Sequence, residues 1–255
     1  MRRIVRTRLT GVMVLLIILL AWQLSVSEGI INSVSVPSIT DIWSAGIEMI
    51  RSGALASALG ASLSRLVVGY AIAVTAGVLI GLAMGYSRIV YNTLEPLTEL
   101  LRPIPSPAYI PLAILFLGLG DQMKIFVVAF SCTFPVLLNT FSAIRDIDPV
   151  LVDTGRTFRT SRVQQIRKIY LPAAMPGILT GMRVALGISL IVVVISEMVA
   201  SSTGIGYFIL NAQRLFLVPE MYAGIASLAI TGYLLNQVFV LAERRILRWQ
   251  PRTSN

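Results

Sequence analysis

The sequence predicts an all-α integral membrane protein of about six transmembrane helices, and two observations carry that class. Of 255 residues, 56% are apolar and 13% charged, against roughly 45–50% and 25% in soluble domains. Apolar runs approaching the roughly 20 residues that a bilayer-spanning helix needs recur along the chain. Residues 1–255 therefore read as a single transmembrane domain, with no room for a separate soluble catalytic domain. The one cysteine, Cys132, lies in an apolar run and excludes an intramolecular disulfide. The lack of histidine removes the commonest metal ligand and proton shuttle.

Hydropathy puts spans near 10–27, 62–86, 94–118, 122–144, 176–200 and 220–243. Six crossings leave both termini on one side. Lys and Arg gather in cytoplasmic loops, and here they cluster at positions 2–8, 88, 145–168 and 244–252. Arg51, Arg65, Lys124 and Arg214 fall on the other side, and Arg102 and Arg183 within spans. Both termini are thus expected to be cytoplasmic. The net charge of +9 reads as orientation and contact with anionic lipid. Nucleic-acid binding is not expected, because the charge is spread over membrane-proximal loops.

The first span has two readings. Basic residues, an apolar run and Ser25-Val26-Ser27 resemble a cleavable signal peptide, but residues 9–26 exceed its usual apolar core of roughly 7–15 residues. A retained span is the expectation. Beyond it, Ser38-Ile39-Thr40-Asp41 forms a capping box that opens a helix carrying Ile42, Trp43, Ile47 and Ile50. That helix should lie along the outer interface, as a linker or as a partner contact.

Inside the bilayer, Gly69, Ala73, Gly77, Gly81 and Gly85 fall every fourth residue in the second span. A helix face so stripped lets another backbone approach closely. Gly177, Gly181, Ala185 and Ser189 repeat the pattern in the fifth. The third span differs: Arg102-Pro103-Ile104-Pro105-Ser106-Pro107, then Pro111, cannot continue a helix. Broken backbone at membrane depth persists only where protein or a watery path satisfies it. Arg102 and Pro105 are therefore candidates for a substrate path, with a hinge or a packing kink as alternatives. Glu99, three residues before Arg102, can pair with it at the cytoplasmic end of this span.

Arg183, Ser196 and Glu197 of the fifth span are further pathway candidates. Arg183 and Glu197 are 14 residues and about 21 Å apart, so each needs its own partner. Ionisable groups at bilayer depth usually face the bundle interior. Snorkelling of Glu197 at the outer end, and anchoring of Arg183 at the inner interface, are the alternatives.

Residues 148–172 form a basic, ordered interruption between spans. Asp148-Pro149 is an N-cap and first-turn pair, after which Leu151, Gly155 and Phe158 share a helix face. Ser161 with Gln164 makes a second capping box. Val163, Ile166, Ile169 and Tyr170 then form the apolar side of a helix expected to stop at Pro172. Two capped helices with apolar faces between membrane spans point to a docking element.

Asp153-Thr154-Gly155, then Arg159, then Ile169-Tyr170-Leu171-Pro172 resembles the EAA loop of permease subunits of binding-protein-dependent ABC importers. The spacing and the I-x-L-P end match. Asp153, Thr154 and Gly155 stand for the Glu and two alanines, and Arg159 stands for the turn glycine. A left-handed turn there costs a non-glycine residue roughly 1–2 kcal/mol, so the turn differs or a contact holds Arg159. Arg102-Pro103-Ile104-Pro105 with Pro111 and 116–120, Glu197 with Gly204-Ile205-Gly206, and the tail at 243–249 resemble the sulfonate, taurine and nitrate permease group.

The resemblance implies a type I ABC importer permease fold, with 62–245 as its core and 148–172 as the coupling loop. It implies that Asp153, Thr154, Gly155, Phe158, Arg159, Ile169, Leu171 and Pro172 meet an ABC ATPase. Neither lysine, Lys124 or Lys168, has the glycine frame of a phosphate loop, so ATP and magnesium are expected on that separate chain, and no cofactor on this one. A second permease copy, two ATPase copies, and a periplasmic or lipid-anchored binding protein complete the implied bacterial inner-membrane assembly. The expected cargo is a small anion, with pyrimidine or thiamine-precursor solutes as an alternative. The rival class is an ion-coupled secondary transporter, for which the spans offer few acids and no His. A membrane enzyme lacks a convergent nucleophile and base.

Overall fold

The glycine stripes decide how the bundle closes. In the computed structural model, which describes residues 2–29, 35–158 and 160–249, helix α1 spans Arg2–Ser27, α2 Ile39–Arg51 and α3 Ala54–Tyr86. Helix α4 covers Arg88–Leu101, α5 Ile110–Leu117 and α6 Asp121–Arg145. They are followed by α7 (Pro149–Thr157), α8 (Arg162–Gln165), α9 (Leu171–Ala200), α10 (Ile205–Arg214) and α11 (Val218–Ile246). No strand occurs among the described residues.

A Cβ added at Gly69 would lie 2.8 Å from Val128 Cβ, and one at Gly77 2.7 Å from Val136 Cβ. At Gly81 it would lie 2.6 Å from the Leu137 carbonyl. Helices α3 and α6 thus meet nearly backbone to backbone. Gly181 does the same for α9, where a Cβ would lie 2.7 Å from Asn139 Cβ. Lipid offers no hydrophobic drive between helices, so this close van der Waals packing is what holds them. The core of Leu66, Ala73, Val127, Cys132, Val136, Ala185 and Val193 sits along the α3–α6–α9 seam.

Four helical stretches are long and apolar enough to cross a membrane: Ala54–Tyr86, Asp121–Arg145, Arg162–Ala200 and Val218–Ile246. The expected third span is not one helix. It is a bent pair, Arg88–Leu101 and Ser106–Leu117, meeting at 92°, because the prolines at 103, 105 and 107 deny the backbone its next donors. The amino-terminal helix α1 is tied down where it ends. Trp22 Nε1 donates to the Pro37 carbonyl at 3.1 Å, and Gln23 Oε1 accepts from the Ile39 N–H at 2.8 Å. Ser38 caps α2 through the Asp41 N–H, as its sequence implies.

Pro172 does not stop the helix. Residues 166–170 form a π turn in which the Leu171 N–H donates to the Ile166 carbonyl. That wider turn shifts the register just before the missing proline donor, and the helix runs on to Ala200.

Candidate functional site

At the end of the bundle that carries the 148–172 loop, the Asp148 carboxylate accepts from the Val150 N–H at 2.9 Å and starts α7. The Ser161–Gln164 capping box is closed on both sides and starts α8. Between them, Thr160 Oγ1 donates to the Gly155 carbonyl at 2.7 Å, and Gln165 Nε2 donates to the Thr160 carbonyl at 3.2 Å. Gly155 is buried, with Ile169 Cδ1 filling the space its Cβ would need. α7 is therefore pinned onto the π turn at the foot of α9.

Much of α7 and the residue that follows it stay exposed. Val150 is 69% exposed and Phe158 76%, and Leu151, Asp153 and Thr154 are exposed as well. Thr154 spends its hydroxyl on the Val150 carbonyl. Ile169, Leu171 and Pro172 are half-buried at the junction with α9. Arg159 lies outside the described residues. The apolar face that Leu151, Gly155 and Phe158 share in the sequence divides: Gly155 turns inward while the two large side chains remain uncovered.

Beside the middle of α6, the break between α4 and α5 opens a cleft of about 390 Å³ lined by Arg102, Pro105, Ser106, Tyr109, Phe134 and Leu138 among others. Arg102 pairs with Glu99 at 3.3 Å, as expected from their spacing. The Tyr109 and Ser131 hydroxyls are hydrogen-bonded, and Ser131 donates to the Val127 carbonyl at 2.6 Å. The shared hydrogen is therefore Tyr109's.

At the opposite end of α9, Glu197 is fully buried. Its Oε1 accepts from Arg65 Nη1 at 2.6 Å, and its Oε2 accepts from the Gly206 N–H at 3.0 Å. Ser62 Oγ sits 2.9 and 2.8 Å from the two oxygens and itself accepts from the Ile205 N–H. Arg65 also donates to Thr203 Oγ1 and its carbonyl, and to Asp121 at 2.8 Å. Gly204, at φ +105°, leaves the space that the carboxylate occupies; any side chain there would strike it. The network joins α3, α6, α9 and the start of α10, and nearly every polar atom in it has a partner, which offsets the cost of burying the charges.

Residues 73–249 match the family of binding-protein-dependent transport system inner membrane components. The chain belongs to that family. It is the permease subunit of an ABC importer. This permease is 34% identical over 240 residues to a Bacillus subtilis protein named for aliphatic sulfonates transport, SsuC, covering 94% of this chain and 87% of the relative. It is 33% identical over 191 residues to the taurine transport system permease TauC of Escherichia coli, covering 75% and 70%. Its fold is similar to a chain of the inward-facing MetNI methionine ABC transporter, with a TM-score of 0.65 at 18% identity over 73% of this chain and 93% of that one. The fold is the type I importer permease fold, and family membership sets the ion-coupled secondary transporter aside.

The permease scatters its sequence-marked pathway residues. Arg102 and Pro105 line the cleft beside α6. Arg183 lies elsewhere, 3.8 Å from Glu243 and beside a separate cavity of about 220 Å³. Ser196 is buried and donates to the Val193 carbonyl at 2.7 Å. Glu197 does not snorkel; Arg65 is its partner. The sequence puts Arg65 and Lys124 at outer span ends, as orientation charges. Both are buried, and Lys124 Nζ instead donates to the Leu119 and Gly120 carbonyls. Depth was the available signal for the pair. Arg65 lies three residues inside the 62–86 span, and Glu197 three residues from the outer end of 176–200.

Proposed function

We propose that this permease, as a pair of copies across residues 1–255 with the 62–245 core of each forming the path, imports a small organic sulfonate or related anion such as taurine or nitrate. Two ABC ATPase subunits would hold ATP and magnesium and clasp the 148–172 loops from the cytoplasm. A periplasmic or lipid-anchored binding protein would deliver the solute to the outer face. Multi-pass insertion in the inner membrane fits the family, and the basic loops favour cytoplasmic termini.

The observation that carries this reading is α7. A short helix anchored by Gly155 to the base of α9 leaves Val150, Leu151 and Phe158 exposed. Large apolar side chains displayed on a capped helix are what a partner groove accepts. Closure of the ATPases on ATP would draw the two α7 elements together. The pinned contact between Gly155 and Ile169 would pass that displacement to α9, switching the path between packed states. The sulfonate class rests on the relatives' names and on the motif resemblance at 102–120, 197–206 and 243–249.

Single cysteines at Val150, Asp153 and Phe158, in a Cys132→Ser background, test the coupling. Each should form a crosslink to the partner ATPase in the assembled importer, with yields that change on ATP binding. A complete absence of crosslinks from all three positions would overturn it. ATP-driven uptake of an alkanesulfonate into proteoliposomes, against nitrate and a neutral solute, tests the cargo.

A further inference from the structure

The break between α4 and α5 places a cation beside the middle of α6. Ser131 lies ten residues from the start of α6, about 15 Å, and Leu138 seven residues from its end, about 10 Å. Both line the cleft with Arg102. A guanidinium at that depth faces a bundle interior or a watery path, because exposure to lipid is too costly. Its pairing with Glu99 is loose. One contact at 3.3 Å joins two side chains that are about half exposed, 49% and 54%, leaving most of the five N–H donors of Arg102 uncommitted.

The rest of the cleft is sorted by chemistry. Tyr109 and Ser131 spend their hydrogens on each other and on the Val127 carbonyl. The half-buried Ser106 hydroxyl makes no hydrogen bond among the described residues, so it is a donor still available beside Arg102. The opposite wall is apolar: Phe134, Leu138 and Ile188. We infer that this cleft is a transient binding site for a monovalent organic anion, its oxyanion head on Arg102 and Ser106 and its alkyl body against Phe134, Leu138 and Ile188.

The inference rests on the anion-importer reading and narrows it. A guanidinium fork matches the oxygens of a sulfonate. A single cation beside a carboxylate holds a monoanion weakly, and weak holding is what a conducting site requires. The apolar wall gives a sulfonate with an alkyl chain more contact than nitrate has. The volume of about 390 Å³ lies within the roughly 300–1,000 Å³ range of small-ligand sites.

The test uses the complete importer, with binding protein and ATPase, in proteoliposomes supplied with ethane-, butane- and octanesulfonate. Arg102→Gln should lower the maximal uptake rate about tenfold or more, the loss of one charge-assisted contact, while the binding protein's affinity is unchanged. Arg102→Lys should retain more of the rate than Arg102→Gln. Leu138→Trp, which fills the apolar wall, should slow uptake increasingly with chain length. Wild-type rates in Arg102→Gln, or an equal loss at every chain length in Leu138→Trp, overturn the site. Should Arg102→Gln fail to assemble, the chain-length series of Leu138→Trp decides alone. A wild-type importer that takes up none of the sulfonates on ATP overturns the cargo reading itself, and this site with it.

Discussion

The two ends of one helix are built on opposite principles. The stretch Arg162–Ala200 runs unbroken for 39 residues, about 58 Å at 1.5 Å per residue. Its carboxy-terminal end is locked: Glu197 is buried, held by Arg65, Ser62 and the Gly206 N–H, with Gly204 wrapped against it. Its amino-terminal end is loose only in what it displays: a π turn and a four-residue α8, with the nine-residue α7 pinned on them through a buried glycine while Val150 and, just beyond α7, Phe158 stay exposed. One end spends its polar groups on internal order, and the other leaves apolar surface for something outside the chain. Such a helix passes a push from the loose end to a fixed one, where a displacement must either tilt the helix or open the lock.

The largest expected effect comes from opening the lock chemically. Glu197→Leu strands the buried Arg65 without its main partner and leaves the Gly206 N–H unpaired, a cost of about 3–5 kcal/mol. It should appear as a large fall in the unfolding temperature in detergent. Adding Arg65→Met to Glu197→Leu should recover part of the loss, because an apolar pair avoids the uncompensated charge. A double variant no more stable than Glu197→Leu alone would mean that the hydrogen bonds to α10, not the ion pair, hold the carboxy-terminal end. Gly204→Ala should also destabilise, by about 1–3 kcal/mol from its φ alone, with a further loss as the methyl displaces the carboxylate. If its unfolding temperature matches wild type, the wrapping of Glu197 is softer than its geometry implies.

The contrast between the ends also explains what could be read from the sequence. Local signals read well at the amino-terminal end. Asp148, Ser161 and Gln164 act on backbone groups within three residues, and the structure has those bonds. The glycine stripes read well too, since a period of four along one helix is visible without knowing its neighbour. The lock did not read, because Arg65 and Glu197 are 132 positions apart and nothing local marks the match. Helix α10 went unrecognised within a short outer segment, although Ile205 and Ile209 bury against Ala58 of α3. Pro172 was ambiguous in a physical sense: proline ends one helix as readily as it occupies the first turn of the next. Here the π turn joins the two.

The smallest effect on the fold should carry the most information about function. Phe158 lies just beyond α7 and is 76% exposed, so Phe158→Ala removes little that the isolated chain buries. Its unfolding free energy should change by no more than about 0.5 kcal/mol, as for other surface substitutions. In the assembled importer the same ring is expected in the ATPase groove, and ATP-driven uptake should fall several-fold while the protein reaches the membrane in normal amount. Stability and uptake measured on one preparation separate the cases. Loss of both would make Phe158 a structural residue of the loop, and loss of neither would remove it from the coupling contact. Loss of uptake alone, set beside the stability loss in Glu197→Leu, would assign coupling to the loose end and order to the locked one.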